Sequence, residues 1–335
     1  MVLSRVSAHL HGFAFVDAGG SMNAWTVALQ GFVVAILCMG FSFTFTTERF
    51  PNFAHVSIAN MGGFFAFAVV YFLGVNPYLS LPVAVVLSGL LGGVLYLILA
   101  RPLTRRGRSI IYLTLAFLAA SLVLNSVFLA IRYWALMGEG IRNTAFKLSG
   151  YDFNILGVPA AQVFVPAASV VAVLVVYLFL TRNRLGVSLR AVSENEELAM
   201  ILGVNTFRAH LASWILVGAL AGFAGFATAL LQGINPLGAD ALLVTVMAGS
   251  FLGGIWSVPG AAVGGFTLVF VQSWVVDALS SYIGNRPIAG FAYASNFISM
   301  FGLIPYAVIW GMLLFEPDGF AGLVARVRTR FRNLS

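Results

Sequence analysis

Residues 110–131 read IIYLTLAFLAASLVLNSVFLAI, and residues 101–109 just ahead of them read RPLTRRGRS. The longer stretch holds no Asp, Glu, Lys or Arg, while the shorter one holds Arg101, Arg105, Arg106 and Arg108 and no acid. A helix needs about 20 mostly apolar residues to cross the hydrocarbon core of a bilayer. Ile110–Ile131 meets that length, and a short basic loop beside it marks the cytoplasmic end. Eight more stretches have the same character: Ala24–Phe43, Val56–Leu73, Tyr78–Leu99, Val158–Leu180, His210–Leu231, Ala241–Trp256, Ala261–Val276 and Met300–Phe315. They are too long and too continuously apolar for barrel strands, which alternate. Inside lipid only helices and closed barrels satisfy every backbone polar group. The expected fold is therefore an all-α, polytopic transmembrane helix bundle of about nine spans (eight to ten).

Composition supports the same class. Of 335 residues, 60% are hydrophobic and only 9% charged, against roughly 25% charged in a soluble domain. The mean hydropathy is +0.97. Many of the 35 glycines lie within apolar runs, where small residues let helices approach closely. The single Cys38 sits in such a run and makes neither an intramolecular disulfide nor a metal site.

The charges are placed asymmetrically. With nine spans, three basic segments fall on one side: Arg101–Arg108, the group Arg182, Arg184, Arg190 and Arg208, and the group Arg326, Arg328, Arg330 and Arg332. Arg49 joins them, so thirteen of the 18 Lys and Arg share that side. The positive-inside rule then puts the C-terminus in the cytoplasm and the N-terminus outside. It also accounts for the pI near 9.9 without nucleic acid. Residues 1–23 lack the apolar core of a signal peptide. They are expected to form a short extramembrane segment, unless translation starts at Met22.

Three polar or broken stretches stand out as candidate machinery. Thr181–Arg208 reads TRNRLGVSLRAVSENEELAMILGVNTFR and is the most polar stretch between spans. Ser193 and Glu196 fit a capping box and Gly203 a helix end, which predicts a short inner-face helix over about Glu194–Leu202. Leu198, Ile201 and Leu202 form an apolar stripe along it. Its partner is this protein's own underside, the lipid interface or another subunit. Leu252–Gly265 reads LGGIWSVPGAAVGG. Gly249/Gly253 and Gly260/Gly264 are four apart, so each pair lines one helix face. Pro259 disfavours helix at Val258, and the flanking segments of about 16 residues are short for full crossings. Such segments either line a substrate path or make a tight turn between close-packed helices. Phe43–Gly63 reads FTFTTERFPNFAHVSIANMGG, with Glu48, Arg49, Asn52 and His55 between two apolar runs. It is a solvated turn or a polar site at membrane depth. The Asn76-Pro77 and Asn235-Pro236 steps read as ordinary outer-loop turns.

No G-x-x-x-x-G-K-[ST] phosphate loop, H-E-x-x-H motif or Cys/His cluster occurs in the chain. Acids within the spans are nearly absent, which disfavours an ion-driven transporter. A membrane enzyme lacks its clustered catalytic residues, and no catalytic or metal-ligating set is expected.

Together these segments resemble the permease subunits of branched-chain amino acid ABC transporters. The resemblance rests on Asn52-Phe53-Ala54-His55, on Arg184-Leu185-Gly186 with Leu189-Arg190-Ala191-Val192, and on Glu196-Glu197-Leu198-Ala199 with Leu202-Gly203-Val204-Asn205. It also rests on Leu252–Gly265, with Trp256 where the family carries Gly, and on Phe315–Gly322. Val56, Glu48-Arg49 and Glu316 depart from the pattern. The resemblance implies one transmembrane permease domain over 24–315, with a coupling loop at 181–208 and a basic cytoplasmic tail at 316–335. It implies two cytoplasmic ATP-binding subunits that hold ATP and Mg, a second permease subunit and an extracytoplasmic substrate-binding protein, with no cofactor on this chain. Arg190, Ser193, Glu194, Glu196, Glu197, Leu198, Ile201, Leu202 and Gly203 would dock the ATPase. Asn52, His55, Gly249, Gly253, Gly254, Ser257, Gly260 and Gly264 would line the path. Related permeases carry urea or short amides, so those substrates, and a stand-alone transporter or channel, are the alternatives.

Overall fold

The computed structural model describes residues 24–138, 146–155, 157–234, 239–283, 303–315 and 319–322. The amino-terminal segment 1–23, the Asn235-Pro236 step and the arginines of the tail lie outside them. Among the described residues the chain is a helix bundle. Its helices are α1 (Ala24–Glu48), α2 (His55–Leu73), α3 (Leu81–Leu95), α4 (Ile110–Gly138) and α5 (Ala160–Arg182). Two short helices follow, α6 (Arg184–Glu194) and α7 (Glu196–Ile201), then α8 (Thr206–Leu231), α9 (Ala239–Gly253), α10 (Val258–Ile283) and α11 (Ile304–Phe315). A 3-10 turn, Pro77–Ser80, leads into α3, and a π-helical turn, Tyr96–Ala100, carries it on to Arg101–Arg105. A two-stranded antiparallel hairpin, β1 (Asn154–Ile155) with β2 (Val158–Pro159), is a small addition to the expected all-α fold.

Eight of the nine apolar stretches fall largely on these helices, and the ninth, Met300–Phe315, does so from Ile304, its first three residues lying outside the described residues; among the described residues seven helices are long and apolar enough to cross a membrane. The expectation about the pair around Leu252–Gly265 is half corrected. α9 is short at 15 residues, but α10 runs for 26. Pro259 does not delay α10, because it lies in the first turn, where a missing N–H leaves no bond unmade.

The bundle is organised around α1 and α8. In the most apolar window of each, 83% and 72% of residues are buried, against 22% in α4 and 17% in α5. α8 packs on α1, α2 and α3, while α9 and α10 pack on the other flank of α1. Lipid gives no hydrophobic drive for apolar helices to associate, so close backbone approach must hold them. α8 supplies it through small residues: a Cβ added at Gly222 would lie 2.6 Å from the Ala84 carbonyl oxygen, and one at Gly225 would overlap that of Ala59. The outer helices α4 and α5 keep large side chains such as Leu122, Val123, Val171 and Val175 exposed, as a lipid-facing layer would.

Candidate functional site

Glycine sets up the entry to the 181–208 segment. At the end of α5 the chain turns sharply, with Asn183 Oδ1 accepting the Leu185 N–H at 2.9 Å. α6 then folds back so tightly that a Cβ on Gly186 would overlap the Phe179 carbonyl oxygen. α6 is amphipathic. It buries Gly186, Leu189 and Val192 and leaves Arg184, Leu185, Val187 and Arg190 exposed. Leu189, Val192 and Ala199 join Phe43 of α1 and Ala209 and Val217 of α8 in a small separate core. The segment is thus seated on the two central helices.

The joint between α6 and α7 corrects one expectation. The short helix starts at Glu196, and its cap is Asn195, whose Oδ1 accepts the Leu198 N–H at 3.0 Å. Ser193 is still inside α6, with its hydroxyl donating to the Arg190 carbonyl at 2.8 Å, so it has no free geometry to cap anything. Asn195 alone leaves helical backbone, at φ −154° and ψ 103°. Glu196 and Glu197 sit in the first turn of α7, the end that favours negative charge. Gly203, at φ +84°, ends the helix in a Schellman pattern: the Val204 N–H donates to Ala199 O at 2.9 Å and the Gly203 N–H to Met200 O at 3.0 Å. Leu198, Met200, Ile201 and Leu202 all stay exposed, Ile201 at 81% and Leu202 at 73%. Met200 adds to the stripe read from the sequence. Its placement depends on where α7 starts, which the mistaken cap obscured.

Glu48 and Arg49 prove to be tied to this segment. Glu48 Oε1 lies 2.7 Å from His210 Nδ1 and accepts the Trp214 N–H at 2.9 Å. The other ring nitrogen, His210 Nε2, lies 3.3 Å from Glu196 Oε1. An ionised carboxylate only accepts, so a ring that serves both is the doubly protonated, cationic form. Tyr96, in the π-helical turn, stacks on the His210 ring at 6.2 Å and 16°. Arg49 donates to the Ser193 carbonyl and lies 5.0 Å from the Trp256 ring centroid. The residues of this network come from five separate parts of the sequence, so no local pattern announces it.

The residues expected along the path are placed differently from those of the coupling loop. Asn52 and His55 are wholly buried. Asn52 Oδ1 accepts the Ala54 N–H at 3.1 Å, and His55 Nε2 faces the Leu37 carbonyl at 3.1 Å, which locks the start of α2 against α1. Ser257 caps α10, its hydroxyl accepting the Gly260 N–H at 3.2 Å. Gly249, Gly253, Gly260 and Gly264 lie where α9 and α10 touch backbone to backbone; a Cβ on Gly249 would come within 2.6 Å of the Gly265 Cα. Gly254, at φ +98°, makes the turn between them. These glycines form one close-packed seam, and Asn52 and His55 form a separate brace.

A polar cavity of about 390 Å³ occupies the opposite end of the two central helices from His210 and Glu48. Thr26, Gln30, Ser149, Asp152, Gln162 and Gln232 contribute to its wall. Asp152 is held by the Tyr78 hydroxyl at 2.7 Å and by the backbone N–H groups of Phe153 and Ala161. Over 25 and 26 residues, at 1.5 Å per residue, α1 and α8 hold the cavity and the 181–208 segment roughly 35 Å apart.

The family model described as branched-chain amino acid transport system / permease component matches residues 23–313. A probable branched-chain amino acid transport permease protein, LivH, of Methanocaldococcus jannaschii is 32% identical over 310 residues, covering 92% of this chain and 94% of that protein. The high-affinity branched-chain amino acid transport system permease protein LivH of Escherichia coli K12 is 24% identical, covering 87% and 92%. The corresponding protein BraD of Pseudomonas aeruginosa is 23% identical, covering 90% and 94%.

Proposed function

The chain belongs to the branched-chain amino acid transport permease family, and on that premise we propose that it is the membrane-spanning subunit of an ATP-driven importer for branched-chain or related amino acids. The observation that carries this reading is the segment from Arg184 to Leu202. It exposes an apolar face at Leu198, Ile201 and Leu202 while its other side is seated on α1 and α8. An apolar stripe at the end of a bundle, rimmed by Arg190, Glu194 and Glu197, has the composition of a protein-docking surface. Its partner is one of two cytoplasmic ATP-binding subunits, which hold ATP and Mg and carry out hydrolysis.

On this reading the coupling segment is cytoplasmic, the C-terminus lies inside and the N-terminus outside, with nine spans in the cell's inner membrane. One domain over 24–315 carries the path, between short flanking segments at 1–23 and 316–335. The polar cavity near Gln30 and Gln162 then opens outward, where a substrate-binding protein delivers a zwitterionic amino acid. A second permease subunit completes the path. ATP binding draws the two ATPases together, shifts α6 and α7, and tilts α1 and α8, so that access passes from the outer to the inner side. Asn52 and His55 brace that path, and the glycine seam of α9 and α10 lets its wall slide without side-chain clashes.

The test is the double variant Glu194→Arg with Leu198→Asp in the complete importer. ATP-driven leucine uptake should fall at least tenfold while the chain still inserts into the membrane. Uptake at the wild-type rate would rule out the coupling role.

A further inference from the structure

Glu48, the last residue of α1, and Arg49 just after it are unusual for the edge of an apolar span, and each reaches the proposed coupling segment by a separate route. Glu48 does so through His210, which stands between it and Glu196 of α7. Arg49 does so directly, through the Ser193 carbonyl at the end of α6. The arrangement is specific. Glu48 and His210 are nearly buried, at 6% and 13% side-chain exposure, whereas Glu196 is half-exposed at 48%. Trp214 fixes the Glu48 carboxylate from one turn further along α8, and Tyr96 stacks on the ring from the π-helical turn after α3. Arg49 adopts φ +62°, a left-handed backbone unusual outside glycine. Its guanidinium meets Ser193 on one side and Trp256, in the turn between α9 and α10, on the other.

We infer that Glu48, His210 and Arg49 are positioning residues that transmit displacement of α6 and α7 to the two central helices and to the glycine turn between α9 and α10. The inference rests on the coupling reading above. It adds a specific connection: a directed polar contact between α7 and the bundle, beside the apolar contact that Ala199 makes. The charge-assisted hydrogen bond between the nearly buried Glu48 and His210 has a fixed length and direction, and His210 extends it to the half-exposed Glu196. It converts a shift of Glu196 into a pull on the first turn of α8 and the last turn of α1.

The experiment uses the complete importer in lipid vesicles, with leucine-loaded binding protein, and reads leucine taken up per ATP hydrolysed. Glu48→Ala and His210→Ala should each lower that ratio about tenfold with ATP hydrolysis retained. The double variant should fall no further than the singles, since both break one bridge. Glu48→Gln, which keeps an acceptor for Trp214 and His210, should recover at least half of the loss. A merely structural brace would lower uptake and hydrolysis together and leave the ratio unchanged; an unchanged ratio overturns the inference. If Glu48→Ala fails to assemble, Glu196→Gln carries the same test at an exposed position, with an expected drop of about threefold. Cross-linking of Leu198→Cys to an ATPase subunit separates the two levels of the account. A cross-link with an unchanged ratio defeats the bridge alone, whereas no cross-link and no leucine uptake by the parent chain defeats the coupling reading and the bridge with it.

Discussion

Single atoms decide several features here. A Cβ on Gly225 has no room beside the Ala59 carbonyl, because α2 and α8 meet there backbone to backbone. Gly225→Ala should therefore destabilise the bundle by about 1–3 kcal/mol through overpacking, read as a lower Tm in detergent. Gly150→Ala, in open space, should leave Tm unchanged. Asn195 and Ser193 make a second contrast. Removing a working helix cap costs about 1 kcal/mol, so Asn195→Ala should speed hydrogen exchange at the Leu198 amide about fivefold. Ser193→Ala, whose hydroxyl only bonds back within α6, should change it little. Equal effects of the two would restore the capping box that the sequence suggests.

At the scale of elements, α6 and α7 turn one face to the bundle and leave the other exposed, the face proposed to meet a partner. Leu189, Val192 and Ala199 face in, while Ile201 and Leu202 face out. Changing the outer pair, Ile201→Ser with Leu202→Ser, should cut co-purification of the ATPase subunits at least tenfold and leave membrane insertion intact. The periodicity of this segment made the outer stripe and the Gly203 stop legible in the sequence, since both are local patterns. The joint at Asn195 was not, because Ser193 and Asn195 are both good caps and only the length of α6 chooses between them. The Glu48–His210–Glu196 bridge was illegible for a different reason. It joins residues 162 and 14 positions apart, and the sequence alone marks only that a charged pair interrupts an apolar region. The burial of Asn52 and His55 also depends on how α2 packs against α1, which spacing does not encode.

Among the described residues the molecule is built around two antiparallel central helices, with a polar cavity at one end and the proposed coupling segment at the other. Hydropathy alone located the long apolar helices, seven of which among the described residues are long enough to cross a membrane, because a chain in lipid must make each apolar run a helix. It did not tell that α1 and α8 would be central and α4 and α5 peripheral; that follows from which helices carry enough small residues to touch closely. The arrangement makes an orientation prediction. A cysteine at Gln162 should react with a membrane-impermeant thiol reagent added outside intact cells, and one at Arg190 only after the membrane is opened. The reverse pattern would invert the topology. The most direct test of the account is ATP hydrolysis and leucine uptake in vesicles that hold this chain with its second permease and the two ATPase subunits. Leucine-loaded binding protein should stimulate hydrolysis several-fold and drive uptake that stops when ATP is removed, whereas leucine uptake by this chain alone, without ATPase subunits or ATP, would contradict it.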